Sequence, residues 1–201
     1  MMDIRQLSIR YNVDHDRILV CINTSAGDEV QMWLTRRLVA GLWPLLNRVV
    51  IDHLAIPADA KTDGFVDLAA MGPETRKMLA ELRQQEAVQS SDFSTPYRHD
   101  ATNRPLGDAP LLVTEVNLKP KASGLMQINF KEVLTEPPSS RGFQLDLPAE
   151  LVFAILQLLS QALAQAQWQL GTETPAPLQI IETAPEEIDL SPDAARPTYL
   201  N

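Results

Sequence analysis

Asp14-His15-Asp16 is the densest polar cluster in the chain. A histidine between two carboxylates suits metal ligation or general acid–base catalysis. Adjacent residues at a tight turn point in different directions, however, and no second ligand cluster accompanies these three. They read as a solvated turn. Cys21 is the only cysteine, so no internal disulfide and no cysteine-based metal site is possible. It stands between Val20 and Ile22 and reads as a small buried hydrophobe. His53 and His99 have no partner at a metal-ligand spacing. The eight glycines form neither a dinucleotide nor a P-loop pattern, and no nucleophile elbow occurs. No catalytic residue, metal or cofactor follows from these motifs, and the chain leans away from an enzyme.

The residues with the clearest binding chemistry are Arg10, Trp33, Arg36 and Arg37. Arg36-Arg37 stands at a strand-to-helix junction, and with Arg5, Arg10 and Arg17 it makes the one candidate basic surface. Arg10 shares the polar parity of its strand with Gln6, Ser8 and Asn12, and Trp33 takes the matching parity two strands on. Such a face could stack and pair with single-stranded nucleic acid. The plainer alternative is a wet sheet face whose tryptophan is covered by a loop or a partner.

The elements that must position these residues are legible from periodicity. Leu7, Ile9, Tyr11 and Val13 alternate with polar residues as a half-buried strand. Asp14-His15-Asp16 turns the chain into a second, more buried strand over 17–23, which makes a hairpin. Val30, Met32 and Leu34 mark a third strand. Thr35 is a good N-cap for a helix carrying Leu38, Val39, Leu42, Leu45, Leu46 and Val49, in which Pro44 should kink or break the helix. The order returns after a connector. Leu112 to Leu118 and Leu125 to Val133 read as strands, 134–142 as a loop built on Pro137-Pro138-Ser139-Ser140, and Phe143 to Leu147 as a third strand. Pro148 opens a second helix that runs to about Leu170.

Val30–Leu46 lies on Phe143–Leu159 at a constant shift of 113 with six identities, and the preceding hairpins align at a shift of 107. This arrangement predicts an α+β fold of two pseudo-repeated units, each of antiparallel strands followed by a helix: unit 1 over 1–56 and unit 2 over 109–170, joined in one domain. The connector, 57–108, carries a polar helix over 74–88 and a long loop over 90–110. A Pro-rich, acidic tail over 171–201 reads as flexible, with Leu178-Gln179-Ile180-Ile181 able to pair as a short strand or dock on a partner.

The formal charge is −9, concentrated in the connector and in the tail, where six acids face one arginine. An acidic total argues against bulk nucleic-acid affinity but leaves room for a local basic patch. Leu151 to Leu163 is too short and too interrupted to span a bilayer, and 1–10 has no apolar signal core. A cytoplasmic protein without membrane contact is the expectation.

Glu29 to Leu46 and Gly142 to Leu159, each a strand running directly into an apolar helix, resemble in layout the Whirly, PUR and PC4-like single-stranded nucleic-acid-binding folds. The resemblance implies sheet-mediated binding of single strands. Those families use four strands per unit and a basic sheet, whereas three strands per unit and an acidic chain are read here. The leading expectation is a non-enzymatic binding or assembly protein that acts through protein–protein contacts and self-associates. It draws on the absence of catalytic motifs, on Trp33 and Trp43, and on Phe153, Leu156 and Leu163, which widen the second helix's apolar face beyond one sheet's need. Single-stranded nucleic-acid binding through the first sheet is the alternative.

Overall fold

The computed structural model describes residues 3–54, 71–121, 123–135, 138–168 and 170. The expected acidic tail, 171–201, lies outside the described residues, as does the connector over 55–70.

The first unit folds as its alternation requires. β1 (Ile4–Asn12), β2 (Arg17–Thr24) and β3 (Glu29–Thr35) form an antiparallel meander. Ile9, Val20 and Met32 share one row across it, and all three are buried. Thr35 caps α1 (Arg36–Val49), its hydroxyl accepting from the Leu38 amide at 3.3 Å. The helix runs through Pro44 as one element, so the expected break does not occur. Pro44 is exposed, and the α-helix instead gives way further on to a π-helical turn, Val50–Leu54.

α2 (Pro73–Ser90) starts with proline in its first turn, where a missing N–H costs nothing. It packs on the π-turn and on the last helix. β4 (Leu111–Leu112) adds to β3 in parallel and completes a four-stranded sheet, β1-β2-β3-β4. The second sheet, β5-β6-β7, is again an antiparallel meander: β5 (Glu115–Pro120), β6 (Met126–Thr135) and β7 (Pro138–Leu147). β7 then leads through Pro148 into α3 (Ala149–Ala166).

The loop expected over 134–142 is largely strand. Proline is tolerated at the first position of an edge strand because no partner needs its N–H there, and β7 lies at the edge of its sheet. Gly142 is required inside it. A methyl built on Gly142 would sit 2.5 Å from the Phe130 carbonyl oxygen and 3.3 Å from Lys131 Cα.

The chain is α+β, with two sheets and, among the described residues, three α-helices. The strand-to-helix switch falls at Thr35 and Pro148, 113 residues apart. The register within the sheets differs between the units. The row Ile9–Val20–Met32 has its counterpart in Val116–Phe130–Phe143, which places Phe143, not the Leu145 that a shift of 113 requires, opposite Phe130. A slip of two residues keeps every side chain on its own face. The helices also cross over: α3 lies along β1, and α1 touches both β3 and β5. Inner faces of both sheets and both helices meet around an apolar cavity of about 30 Å³, lined among others by Leu7, Met32, Leu46, Phe130 and Leu159.

The surplus apolar face of α3 is used within the chain. Phe153 and Leu156 are buried, and α3 contacts α2 and the π-turn as well as β1. α3 is the one described helix with the length and mean hydropathy, 1.4, of a membrane span. It is placed as a core helix, between sheet and helix.

Two outcomes test this packing. Leu34, Leu38 and Leu147 are buried whereas Leu151 is half-buried. Truncating any of the first three to Ala should cost about 2–5 kcal/mol in chemical denaturation, and Leu151→Ala less than any of them. Gly142→Ala, a change that ordinarily favours a strand, should instead cost about 1–3 kcal/mol through overpacking. An unchanged denaturation midpoint would mean that β6 and β7 are not this close.

Candidate functional site

The outer face of the first sheet carries Gln6, Ser8 and Arg10 on β1, Leu19, Cys21 and Asn23 on β2, and Glu29, Gln31 and Trp33 on β3. Its two ends differ. At the end nearest the β2–β3 turn, the connector lies across the sheet as a strap. Gln6 Nε2 donates to the Pro96 carbonyl at 3.4 Å, and the Arg98 amide donates to Gln6 Oε1 at 3.1 Å. Asn23 Nδ2 donates to the Arg98 carbonyl at 2.6 Å, and the Glu29 amide donates to the Asn103 carbonyl at 2.9 Å.

Glu29 holds this strap. Its side chain is 1% exposed, and an isolated charge there would be costly. His99 Nδ1 and Tyr97 Oη each lie 3.1 Å from Glu29 Oε1. Arg104 reaches Oε2 through Nη2 at 3.1 Å and Nε at 3.2 Å. Burial pushes the Glu29 carboxyl up, but hydrogen bonds from Gln31, His99 and Tyr97, with the Arg104 charge, bring it below its ordinary value of 4.5. The same surroundings, burial first and the Glu29 charge second, push the Tyr97 phenol up. Gln6, Asn23, Glu29, Tyr97, His99 and Arg104 are all engaged in fastening the strap. A second buried acid, Glu132, does the same further along. It accepts from the Leu112 amide at 3.1 Å and from Arg141 Nε at 2.6 Å, and Arg141 Nη1 donates to the Leu106 carbonyl at 2.9 Å.

The other end of the face holds the sequence-predicted residues. Arg10, Leu19 and Trp33 form one row, which places Arg10 and Trp33 about 10 Å apart across two strand spacings. Arg10 is exposed and Trp33 half-buried, with the His15 ring over the indole at a centroid distance of 5.1 Å. Arg36 and Arg37 are exposed in the first turn of α1, just beyond the row Asn12–Arg17–Thr35. These residues therefore do gather at one end, but around a single aromatic. The histidines do not meet: His15 lies beside Trp33, whereas His99 lies on Glu29. Cys21 is buried, and burial followed by the Glu29 charge pushes its thiol up to about 11, far from the thiolate that reactivity needs. Among the described residues no three His, Cys, Asp or Glu side chains come close enough to hold a metal ion.

A third feature was not visible in the sequence. β1 pairs only with β2 among the described residues, and its outer edge opens into a cleft of about 450 Å³. One wall is α3, through Leu151, Ala154 and Leu158. The other is the start of the strap, through Phe93, Thr95 and Tyr97. Ile4 and Leu7 contribute from β1 itself. Asp92 shapes the strap's start by accepting from the Ser94 and Thr95 amides and hydroxyls at 2.5–3.1 Å, and these bonds hold its carboxyl well below the usual range. A strand edge beside a helix, with apolar side chains on both walls, can accept an extended chain by main-chain hydrogen bonding.

The chain matches no known protein family, no curated protein and no solved structure.

The cleft escaped sequence reading because it is made by segments about 90 and 150 residues apart in the chain. Glu132 did leave a signal, since it continues the inward parity of Met126, Ile128 and Phe130, where an acid demands a partner. Glu29 left none, because it sits on the polar parity with Gln31.

The Glu29 hub yields a pH prediction. Its folded value is lowered, so its contribution to stability is complete above 4.5 and is lost as pH falls through the folded value. Asp16, Asp92, Asp100 and Asp146 are lowered too, so the informative quantity is the difference from Glu29→Gln. That variant should be less stable at pH 7 by about 1.5–3 kcal/mol, the value of a charge-assisted hydrogen bond. The gap should close as the pH falls from 4.5 through the lowered folded value. A gap independent of pH would show that the Glu29 charge does not hold the strap.

Proposed function

We propose that this chain is a non-enzymatic binding protein of the cytoplasm that acts through protein–protein contacts, taking an extended apolar peptide against the free edge of β1. The observation that carries this reading is the cleft itself, a strand edge without a partner among the described residues, walled by α3 and by the strap. Main-chain groups of β1 would supply affinity. Alternate side chains of the peptide would meet Leu151 and Leu158 on one side and Phe93 on the other, which selects for apolar residues at every second position. The edge of β7 is a poorer candidate, because it starts at proline.

Single-stranded nucleic-acid binding by Arg10, Trp33, Arg36 and Arg37 is the competing reading. It is weakened by the strap, which already occupies half of the sheet face, and by the single aromatic left beside His15. Single-strand binders commonly engage several bases on successive aromatics.

A fluorescence anisotropy panel separates the two. Ten-residue peptides alternating Val or Ile with Thr should bind with little salt dependence, and Leu158→Lys should weaken them at least tenfold. Oligo-dT or oligo-rU binding that falls steeply with salt and is lost in Arg36→Ala/Arg37→Ala would favour the nucleic-acid reading instead. Peptide affinity unchanged by Leu158→Lys would remove the cleft from consideration.

A further inference from the structure

The strap joins the first sheet without entering the core, since none of residues 91–104 is buried. Its attachments are polar. Besides the bonds to Gln6, Asn23 and Glu29, Arg5 Nη2 meets Asp100 Oδ2 at 3.0 Å. Asn103 Nδ2 donates to Asp28 Oδ1 at 2.6 Å, and the Thr102 amide donates to the Gly27 carbonyl at 3.1 Å. Both ends of the strap are anchored, by α2 through the buried Ala80 and Ala87 and by Arg141 at the Leu106 carbonyl. A segment with few buried apolar contacts between two anchored ends can open while the rest of the fold stays closed.

Among these attachments the one buried charge is Glu29. It faces Tyr97, His99 and Arg104 from the strap, Gln31 on its own strand and Cys21 on β2. Asp108 stands behind Arg104 at 3.6 Å, and Asp28 and the Arg5–Asp100 pair fasten the strap on either side. A carboxylate in this ring draws three strap donors to one point, and a neutral carboxyl gives up the charge that strengthens each bond. A proton gained by His99 tightens its own contact with a charged Glu29, so loosening requires the proton on Glu29. Neither Glu29 nor Arg104 lines the cleft, whereas Phe93, Thr95 and Tyr97 do. Tyr97 therefore belongs to both the knot and the wall.

Resting on the peptide reading above, we propose that the strap is a movable wall of the cleft and that Glu29 is its latch. With Glu29 charged, Tyr97 is held down, and Phe93 and Thr95 stand against the edge of β1. With Glu29 neutral the strap lifts, the cleft keeps only its α3 wall, and a bound peptide is released. Glu29 is a positioning residue in this scheme, touching the strap and never the peptide. Its carboxyl lies below the ordinary value, so the latch is fully closed above 4.5 and opens as pH falls through the folded value.

Cys21 supplies the readout. It is fully buried in the row Ser8–Cys21–Gln31 of the strapped face. The Glu29 and Arg104 charges act on its thiol, and the chain has no other cysteine. The test follows iodoacetamide labelling of Cys21 and anisotropy binding of a ten-residue Val–Thr alternating peptide at pH 7. It uses the full chain, Glu29→Gln and Arg104→Gln, the last keeping the test open should Glu29→Gln fail to fold. In both variants labelling should be at least tenfold faster and peptide binding at least tenfold weaker. Labelling rates should be unmoved by about 1 M urea, because local opening exposes little surface. Saturating peptide should slow labelling of the wild type, since coupling between two sites is reciprocal. Equal labelling in all three proteins would overturn the latch while leaving the cleft a peptide site. Faster labelling with unchanged peptide affinity would overturn the strap as the moving wall. Labelling that accelerates steeply with urea would mean that the whole fold opens, and would overturn the local lid. A wild type that binds no peptide would overturn the cleft reading and the gate together.

Discussion

A carboxylate buried at the end of a sheet has to be answered, and the placement of the connector follows from that requirement. Glu29 is out of water, so its charge is tolerable only with donors around it. Gln31 supplies one of them locally, and Tyr97, His99 and Arg104 supply the rest from roughly 70 residues away in sequence. Once they are drawn in, residues 96–104 must cross the outer face of the first sheet, and 91–95 must run beside the edge of β1. The strap's two effects, covering half of one face and walling one side of a cleft, are consequences of a single neutralised charge. Glu132 fixes the continuation through Arg141, Leu106 and Leu112, so the connector is tied at both ends although it contains little regular structure.

Regular elements were legible wherever burial on one face imposes a period. The alternation at Leu7–Ile9–Tyr11, the dense apolar run of β2 and the Thr35 cap all specify local structure without help from distant residues. Predictions went astray where tertiary context overrode local chemistry. Pro138, Ser139 and Ser140 carry a loop composition, yet as the start of an edge strand they need satisfy only one neighbour, β6. Pro44 is expected to kink or break α1, and the break does not occur: it sits exposed within a helix whose Leu42 and Leu46 are anchored in the core. The apolar surplus of α3 suggested a partner outside the chain, whereas α2 and the π-turn supply it from within. A helix of low amphipathicity such as α2 gives little periodic signal, so its role as cover for Phe153 could not be read from its own residues.

The two strand-and-helix units share an order of elements and a switch point without sharing a register. A two-residue slip between β6 and β7, relative to β2 and β3, preserves which side chains face inward, because the strand period is two. It does change which residues meet. Phe130 stacks on Phe143 at 5.2 Å where the first sheet has Val20 beside Met32. The helix crossover matters more for the architecture. With α3 on β1 and α1 touching β5, neither sheet has its own separate core, and each unit completes the burial of the other. This interdependence explains why one interior serves both sheets and both helices, and why an internal likeness in sequence does not translate into two independently folded domains.

β1 is the strand on which these constraints converge. One of its faces is committed to the shared core through Leu7 and Ile9, and the other is partly covered through Gln6 by the strap. One edge is taken by β2. The remaining edge is flanked by walls that the fold had other reasons to build, because α3 is there to cover the core and the strap is there to answer Glu29. An open strand edge invites uncontrolled pairing unless it is blunted or covered, and β1 carries neither a proline nor a run of lysines to blunt it. Arg5, the one charge near the cleft on β1, is paired with Asp100 of the strap at 3.0 Å and so reinforces the wall. The edge therefore lies between an apolar wall, Leu151, Ala154 and Leu158 of α3, and a mixed one, Phe93, Thr95 and Tyr97 of the strap. Arg10, Arg36 and Arg37 lie at the other end of the sheet from this cleft, beyond the reach of the strap.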